Sequence, residues 1–308
     1  MLKCIVKIFC LLLLILIPLK TDAFDKNTLK IDNSGAYIQD VDVAKLQEFY
    51  DELDFPNYLK PNETSYPRVF VKNFPYDFAK TENKTLRNEM FIKILMPLVL
   101  KVNQEYEEER ANLLAIEYGF AKDKDFHQLD CMYIEELAKK YEIDTPFKDT
   151  RRCIKLLDDL ILRVDSIPPS ILIATAAIYT DWGTSRIAVE ANNLYKSKNW
   201  YSDEGLKPLS DDTEYRYKIY ASLEDSIRDY ILRVNQNVNY RSFWHARKLA
   251  REKEFFSSEP LYGRRLDWAF VLDNNLKNYA GLLDYTLTYY RMAYLDGAKL
   301  EDYYDLED

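Results

Sequence analysis

The feature that most constrains the fold is an apolar run, PPSILIATAAIY, which occupies residues 168–179. Ser166 can cap a helix at this point, and prolines are tolerated in the first turn after a cap. Because the run is apolar on nearly every side, a helix built from it has to be buried on every side. The sequence therefore predicts a helix from Ile167 to about Tyr179 that lies inside a larger core.

Further helical patterns precede and follow this run. The predicted helices lie at about 43–53, 85–117, 132–141, 150–164, 222–234, 240–251 and 275–294. Within the longest of them, the charged run 105–110 is typical of a solvated helix face. Gly205 and Pro208, followed by the alternating pattern of 215–220, predict a β-hairpin. The predicted fold class is mainly α (α+β), a helical domain with one small β-hairpin lobe.

Composition excludes several classes of function. The 308 residues carry a net charge of −9, with a sequence pI of about 5.1. This acidic balance disfavours nonspecific binding to nucleic acid, which needs a basic surface. Two histidines and four cysteines argue against a histidine-rich metal site or a zinc-ribbon array. We therefore expect no metal, no cofactor and no nucleic-acid partner.

Residues 1–23 have the pattern of a secretory signal peptide. Lys3 and Lys7 accompany a continuous apolar stretch, and Ala23 supplies a small residue at the cleavage point. The stretch is shorter than the ~20 residues of a membrane-spanning helix. We expect secretion across the inner membrane into the periplasm or cell envelope, with an N-terminal membrane anchor as the alternative. Cleavage would leave Cys131 and Cys153, either paired in an oxidising compartment or as two buried thiols.

A specific motif follows the apolar helix. It reads W-G-T-S-R at Trp182–Arg186, and N-N-L-Y follows at Asn192–Tyr195. Together with the preceding P-P-S and alanine-rich helix, it resembles the signature of bacterial glucosaminidase domains of the mannosyl-glycoprotein endo-β-N-acetylglucosaminidase type, in particular their Bax-type subgroup. The resemblance covers about residues 67–300. It implies a lysozyme-like fold and, as a partner, peptidoglycan or another N-acetylglucosamine-containing glycan, with an envelope protein as a second candidate partner.

The resemblance also suggests how the chain is divided. The predicted segments are a signal peptide at 1–23, an N-terminal extension at 24–66, an N-terminal helical part at 67–165, a glucosaminidase-like domain at 166–300 and an acidic tail at 301–308.

Compared with the family pattern that it resembles, the chain has a different residue at the position of the general acid. The family pattern A-A-x-E-S-G-W-G places its glutamate at Tyr179, and Ala176-Ala177 and Trp182-Gly183 fix the register on both sides. A tyrosine with an ordinary pKa of ~10 is a poor proton donor at neutral pH. The glycines that flank N-N-L-F in the family are Ala191 and Lys196 in this chain. We therefore expect a catalytically impaired enzyme.

The site residues that the resemblance implies form two groups. The candidate catalytic residues are Tyr179, Asp181 as the nearest carboxyl group, and Glu204 in the predicted hairpin. The candidate substrate-binding residues are Trp182, Arg186, Asn192, Asn193 and Tyr195. The alternatives are that Tyr179 fills the core, that Trp182 packs beneath the cleft and that the hairpin acids form a solvated loop.

Three functions are compatible with these residues. The first is glycan binding without efficient cleavage, which the missing glutamate favours. The second is hydrolysis by an active N-acetylglucosaminidase that takes its acid from Asp181 or from the hairpin. The third is a structural role in envelope assembly.

Overall fold

The computed structural model describes residues 28–56, 64–123, 126–148, 151–210 and 213–254, then residues 263, 266 and 270, and finally residues 279–302. The predicted signal peptide at 1–23 lies outside these residues, as does most of the predicted tail at 301–308. Within the described ranges, no helix combines the length and the apolar character that crossing a bilayer requires.

Helices account for most of the described chain. They are α1 (Val43–Glu52), α2 (Lys84–Asp123), α3 (Gln128–Lys140), α4 (Arg151–Arg163), α5 (Pro169–Thr180), α6 (Arg186–Ala191), α7 (Leu223–Gln236), α8 (Arg241–Glu254) and α9 (Tyr279–Tyr289). Short 3-10 helices are present at Phe78–Lys80, Val238–Tyr240 and Met292–Gly297. The predicted fold class, mainly helical with small β elements, is confirmed.

The apolar run forms α5, as the sequence predicts. Every residue from Ile171 to Ala177 is at most 1 % exposed, Thr175 included. The hydroxyl of Thr175 is 2.9 Å from the hydroxyl of Tyr279, so this polar group is paired inside the core. Ile178 is half-buried, and the prediction of a buried helix is confirmed.

Within the described residues the strands form three small sheets, two more than the single hairpin that the sequence predicts. They are β1 (Leu29–Asp32), β2 (Gly35–Ile38), β3 (Ser65–Tyr66), β4 (Val69–Val71), β5 (Lys198–Trp200), β6 (Tyr215–Tyr217) and β7 (Lys299–Leu300). The first sheet has the order β1-β2-β4, with β1 antiparallel and β4 parallel to β2. Strands β3 and β7 pair in parallel, and β5 and β6 form the predicted antiparallel hairpin.

The chain divides into two compact units that are each discontinuous in sequence. The first takes its described residues from 1–98, 179–223 and 298–308, and the second from 99–178 and 224–297. These units differ from the predicted segments, which follow one another along the chain, and the segments stay a prediction. All the residues of the predicted site belong to the first unit.

The second unit has a charged cluster in its core. Asp165 is 1 % exposed, and its carboxylate lies 2.8 Å from Nη2 of Arg251 and 3.7 Å from Nε of Arg247. Burial alone would raise the pKa of Asp165, but Arg247, Arg251 and Arg110 outweigh it and hold the pKa below the usual value. Arg110 Nε is 3.6 Å from the same carboxylate. This residue belongs to the run 105–110, in which Glu107 and Glu108 are exposed, so the run is only in part a solvated helix face.

Candidate active site

A sharp turn ends α5 and begins the W-G-T-S-R motif. Asp181, Trp182 and Gly183 all have positive φ, at 50°, 56° and 80°. Thr180 holds the turn, because its hydroxyl accepts a hydrogen bond from Gly183 N at 2.9 Å and its carbonyl accepts one from Ser185 N at 2.9 Å. Thr180 stands where the family pattern has serine, so the hydroxyl that holds the turn is kept.

Gly183 is required by both its conformation and its surroundings. A Cβ atom there would lie 2.9 Å from the ring of Phe74 and 3.1 Å from that of Phe91. Trp182 packs on the same aromatic cluster, with its ring edge-on to Phe91 at a centroid distance of 5.6 Å. These contacts give Trp182 a packing role, which is one of the two roles that the sequence leaves open.

Tyr179, at the position of the family's glutamate, is only 6 % exposed. The ammonium nitrogen of Lys196 lies 5.4 Å from the centroid of its ring, which is cation–π distance. Lys196 has φ 51°, a conformation that favours glycine, and the family pattern has glycine at this position. The two departures from the pattern are therefore in contact with each other.

The N-N-L-Y segment connects α6 to the hairpin. Asn192 has φ 48°, ends α6, and donates from its side-chain amide to Tyr220 O at 3.2 Å. The side chain of Asn193 is fully buried, donates to Ser197 O and Lys218 O at 2.9 Å each, and accepts from Ser197 N at 2.9 Å. Asn193 therefore binds backbone groups of its own chain.

The other predicted binding residues have different environments. Tyr195 is buried, at 3 % exposure. Arg186 pairs with Glu190 of the same helix at 3.2 Å, and its second guanidinium nitrogen donates to Lys207 O. Arg186 thus connects α6 with the loop of the hairpin.

The two predicted carboxyl groups are both exposed to solvent. Asp181 accepts a hydrogen bond from the Thr184 hydroxyl at 3.3 Å, and that hydroxyl also donates to Asp181 O at 2.8 Å. The backbone N–H of Glu204 donates to Ser202 Oγ at 3.1 Å. The carbonyl of Glu204 also accepts from the side-chain amide of Asn199 at 3.3 Å. These contacts are local, because each partner lies within five residues of the acid along the chain.

The hairpin carries a group of aromatic rings that the sequence did not assign to binding, of which Trp200 and Tyr201 are exposed and Tyr215 and Tyr217 are half-buried. We call Trp200, Tyr201, Tyr215 and Tyr217 the hairpin aromatic surface. Trp200 and Tyr215 have ring centroids 5.2 Å apart, and Tyr215 and Tyr217 have centroids 5.4 Å apart. Burial, followed by the hydrogen bond with Tyr215, raises the pKa of Tyr217 to about 12. The signal in the sequence was the adjacent Trp200-Tyr201 pair and the alternating tyrosines of β6.

A cavity of about 290 Å³ adjoins this surface. Its lining consists of Tyr201, Ser202, Asp203, Lys207, Pro208, Thr213, Glu214, Tyr215 and Arg216. In the described part of the chain, no three His, Cys, Asp or Glu side chains cluster in a way that could hold a metal ion.

The chain is similar to several known proteins. Residues 160–293 match the glucosaminidase family, described as mannosyl-glycoprotein endo-beta-N-acetylglucosaminidase. The chain is 26 % identical to protein Bax of Escherichia coli (strain K12) over 178 residues, which are 58 % of this chain and 61 % of that protein. The catalytic domain of the autolysin Auto from Listeria monocytogenes has a TM-score of 0.31 at 16 % identity, covering 58 % of this chain and 94 % of that one.

The family match and the motif geometry agree, because W-G-T-S-R forms the turn after a buried helix inside the matched range, and residues 160–293 are glucosaminidase-like. The chain is also similar to the E. coli protein Bax and spans 61 % of its length. The resemblance expected from the sequence is confirmed.

Proposed function

We propose that this chain is an exported glucosaminidase-like protein that binds peptidoglycan glycan strands and cleaves them inefficiently. The observation that carries the proposal is the pair formed by Tyr179 and Lys196, with 5.4 Å between the ammonium nitrogen and the ring centroid. Tyr179 occupies the place of the general acid, and Lys196 occupies the place of a glycine.

Both residues act against general-acid catalysis. Glycoside hydrolysis needs a proton for the leaving oxygen, and a carboxylic acid with a raised pKa normally supplies it. A phenol with an ordinary pKa of ~10 donates poorly, and loss of a positioned acid costs about 10² to 10⁴ in rate. A neighbouring ammonium group adds to the effect, because it stabilises an anion and so lowers the pKa of any acid placed there.

The scaffold around the site supports retention of glycan binding. The turn after α5, the packing of Trp182 on Phe91 and the hydrogen bonds of Asn193 are all intact. These contacts maintain the shape of the site without taking part in proton transfer.

One observation favours a second candidate function, hydrolysis with a displaced acid. Helix α5 ends at Thr180, so Asp181 is not held on the opposite face of the helix from Tyr179. Asp181 or Glu204 would then supply the proton. Their exposure argues against this role, because a general acid needs an environment that disfavours its charged form.

Export rests on the predicted signal peptide at 1–23 and on the disulfide between Cys131 and Cys153. The disulfide joins α3 to α4, with 5.8 Å between the two Cα atoms. Disulfides form and persist in oxidising compartments such as the periplasm. A peptidoglycan ligand lies in that compartment.

The test combines binding and cleavage in one assay. The wild-type protein, Asp181→Asn and Glu204→Gln are each incubated with purified insoluble peptidoglycan, and sedimented protein and new reducing ends are measured. We expect all three to sediment with the glycan and to release reducing ends only at background level. Strong release by the wild type, abolished in Asp181→Asn or Glu204→Gln, would establish the displaced-acid function instead.

A further inference from the structure

The C-terminal part of α2 has an exposed apolar face. It consists of Ala111, Leu114, Ala115, Tyr118 and Ala121, all of them exposed, and we call it the α2 stripe. Residues with this spacing lie on one side of an α-helix, which turns by about 100° per residue. Tyr118 alone is 75 % exposed. A contiguous exposed apolar surface of this kind commonly marks an interface with another protein.

The neighbouring helix α3 packs on the other side of α2. The Tyr141 hydroxyl donates to Glu109 at 2.5 Å, and the rings of Phe120 and Phe126 are stacked with centroids 4.3 Å apart. Around α2, Tyr118 is rotated by about 180° from Glu109 and by about 160° from Phe120. Helix α3 therefore does not cover the α2 stripe.

The charges at the two ends of the stripe have opposite signs. Glu107 and Glu108 are exposed at its N-terminal end, and Lys122 is exposed at its C-terminal end. Two parallel copies of α2 would bring like charges together, which is unfavourable. Two antiparallel copies would instead bring the glutamates of each copy close to the lysine of the other. The charges are therefore complementary to a second copy of the same helix in the antiparallel orientation.

Side-chain sizes fit the same arrangement. Around a two-fold axis between Leu114 and Ala115, positions at equal distances from the axis face each other. Leu114 then faces Ala115, and Tyr118 faces Ala111, so each large side chain meets a small one. This alternation lets two helices approach closely and fill the space between them. The same alignment places Glu107 opposite Lys122, so that size and charge agree.

We propose that the α2 stripe is the interface of a symmetric, antiparallel dimer of this chain. Both copies use the same surface, as a two-fold axis requires. The stripe extends over about 15 Å of helix, so the contact is smaller than the roughly 1,200–2,000 Å² of a standard interface and the dimer is weak. The inference is independent of the proposed glycan binding, because it uses no residue of the Tyr179 site.

A membrane surface fits the stripe less well than a second copy does. Helices that lie on membranes carry lysine and arginine beside their apolar face. Glu117 is exposed beside Tyr118, and Glu107 and Glu108 are exposed at the end of the stripe. These acidic groups would be repelled by an anionic lipid surface.

The experiment measures the mass of the mature protein by sedimentation equilibrium between about 10 and 500 µM. We expect the wild type to change reversibly from one copy to two as the concentration rises. Leu114→Glu and Tyr118→Glu each place a charge in the centre of the interface, which interface cores exclude, and should weaken the dimer at least about tenfold. Circular dichroism at low concentration should be unchanged, because both side chains are exposed in the single copy.

An exchange of charges tests the orientation. Glu108→Lys and Lys122→Glu should each weaken the dimer about two- to fivefold, because like charges then meet at the ends of the stripe. The double variant should regain the wild-type affinity. Glu107 is left unchanged, because it also accepts from the Ser166 hydroxyl at 2.7 Å.

Leu249→Glu is the matched control. Leu249 is 56 % exposed on α8 and lies about 200° around that helix from the buried Arg247, so its substitution should leave the dimer unchanged. A protein that stays a single copy at the highest concentration, or a dimer that Leu114→Glu and Tyr118→Glu leave intact, would overturn the α2 stripe as an interface. A dimer that these variants abolish, but that the double charge exchange does not restore, would overturn the antiparallel orientation.

Discussion

The ammonium nitrogen of Lys196 lies 5.4 Å from the centroid of the Tyr179 ring. One residue replaces a glutamate of the glucosaminidase pattern and the other replaces a glycine. Because they are in contact, the two replacements form one altered site. Reversing either of them alone therefore leaves the other in place.

This contact predicts the behaviour of a restored acid. In Tyr179→Glu, the new carboxyl group would lie beside the Lys196 ammonium, so its pKa should fall below the usual ~4.3 of glutamate. In Tyr179→Glu with Lys196→Gly, burial should act without the ammonium and raise that pKa. Carboxyl ¹³C NMR titration of the two variants measures the difference.

Lys196→Gly alone is the control for this titration. Lys196 has φ 51°, which glycine adopts without strain, so the substitution should fold normally. An equal pKa at position 179 in both glutamate variants would contradict the coupling between the two residues.

A buried carboxyl group predicts a specific pH dependence of stability. Asp296 is 4 % exposed, and it accepts hydrogen bonds from Ser170 N at 2.9 Å and from Ser170 Oγ and Gly263 N at 2.8 Å each. Burial raises its pKa to about 7, although the hydrogen bonds act in the opposite direction. Between the unfolded pKa of ~3.9 and about 7, the native state therefore holds a proton that the unfolded state has released.

The raised pKa of Asp296 contributes to the free energy of unfolding. This contribution is fully present below pH ~3.9 and is lost as the pH rises through 7, by at most about 1.4 kcal/mol per pH unit. Urea unfolding at several pH values should show this loss in the wild type and not in Asp296→Asn. That variant should also be destabilised by about 1–3 kcal/mol, because Ser170 N donates to one carboxylate oxygen and Gly263 N to the other, and an amide has only one accepting oxygen. Asp51→Asn, on an exposed part of α1, is the control. Parallel pH profiles for the wild type and Asp296→Asn would contradict this prediction.

The disulfide predicts a redox-dependent stability. Cys131 and Cys153 are 22 residues apart in sequence, and closing a loop of this size stabilises a protein by about 3 kcal/mol. Reductant should lower the free energy of unfolding of the wild type by about that amount. It should not change the double variant Cys131→Ser/Cys153→Ser. A wild type that is insensitive to reductant would show that the bond contributes little.

Sequence patterns succeeded where they depend on neighbouring residues. The buried helix α5 follows from its own apolar composition, and the hairpin of β5 and β6 follows from alternation and turn residues. The W-G-T-S-R turn is recognisable because its glycine, Gly183, has φ 80°, a backbone conformation that favours glycine. Each of these signals is local.

Features that depend on distant partners were not predictable. The side-chain amide of Asn193 donates to the carbonyl of Lys218, which is 25 residues away, and no sequence pattern indicates this contact. Strands β2 and β4 are both very short and pair in parallel, with Ala36 opposite Val69, which is 33 residues away in sequence. The charged residues of 105–110 resemble a solvated face, but Glu109 accepts from the Tyr141 hydroxyl at 2.5 Å. Polar pattern alone does not distinguish a solvated charge from a paired one.

The rate of reducing-end release from purified peptidoglycan, measured for the wild type and for Tyr179→Glu with Lys196→Gly, tests the central claim most directly. We expect background release by the wild type and a gain of about 10² or more in the double variant, with a smaller gain in Tyr179→Glu alone. A wild type that already cleaves efficiently, and whose rate does not rise in the double variant, would contradict the loss of the general acid at Tyr179.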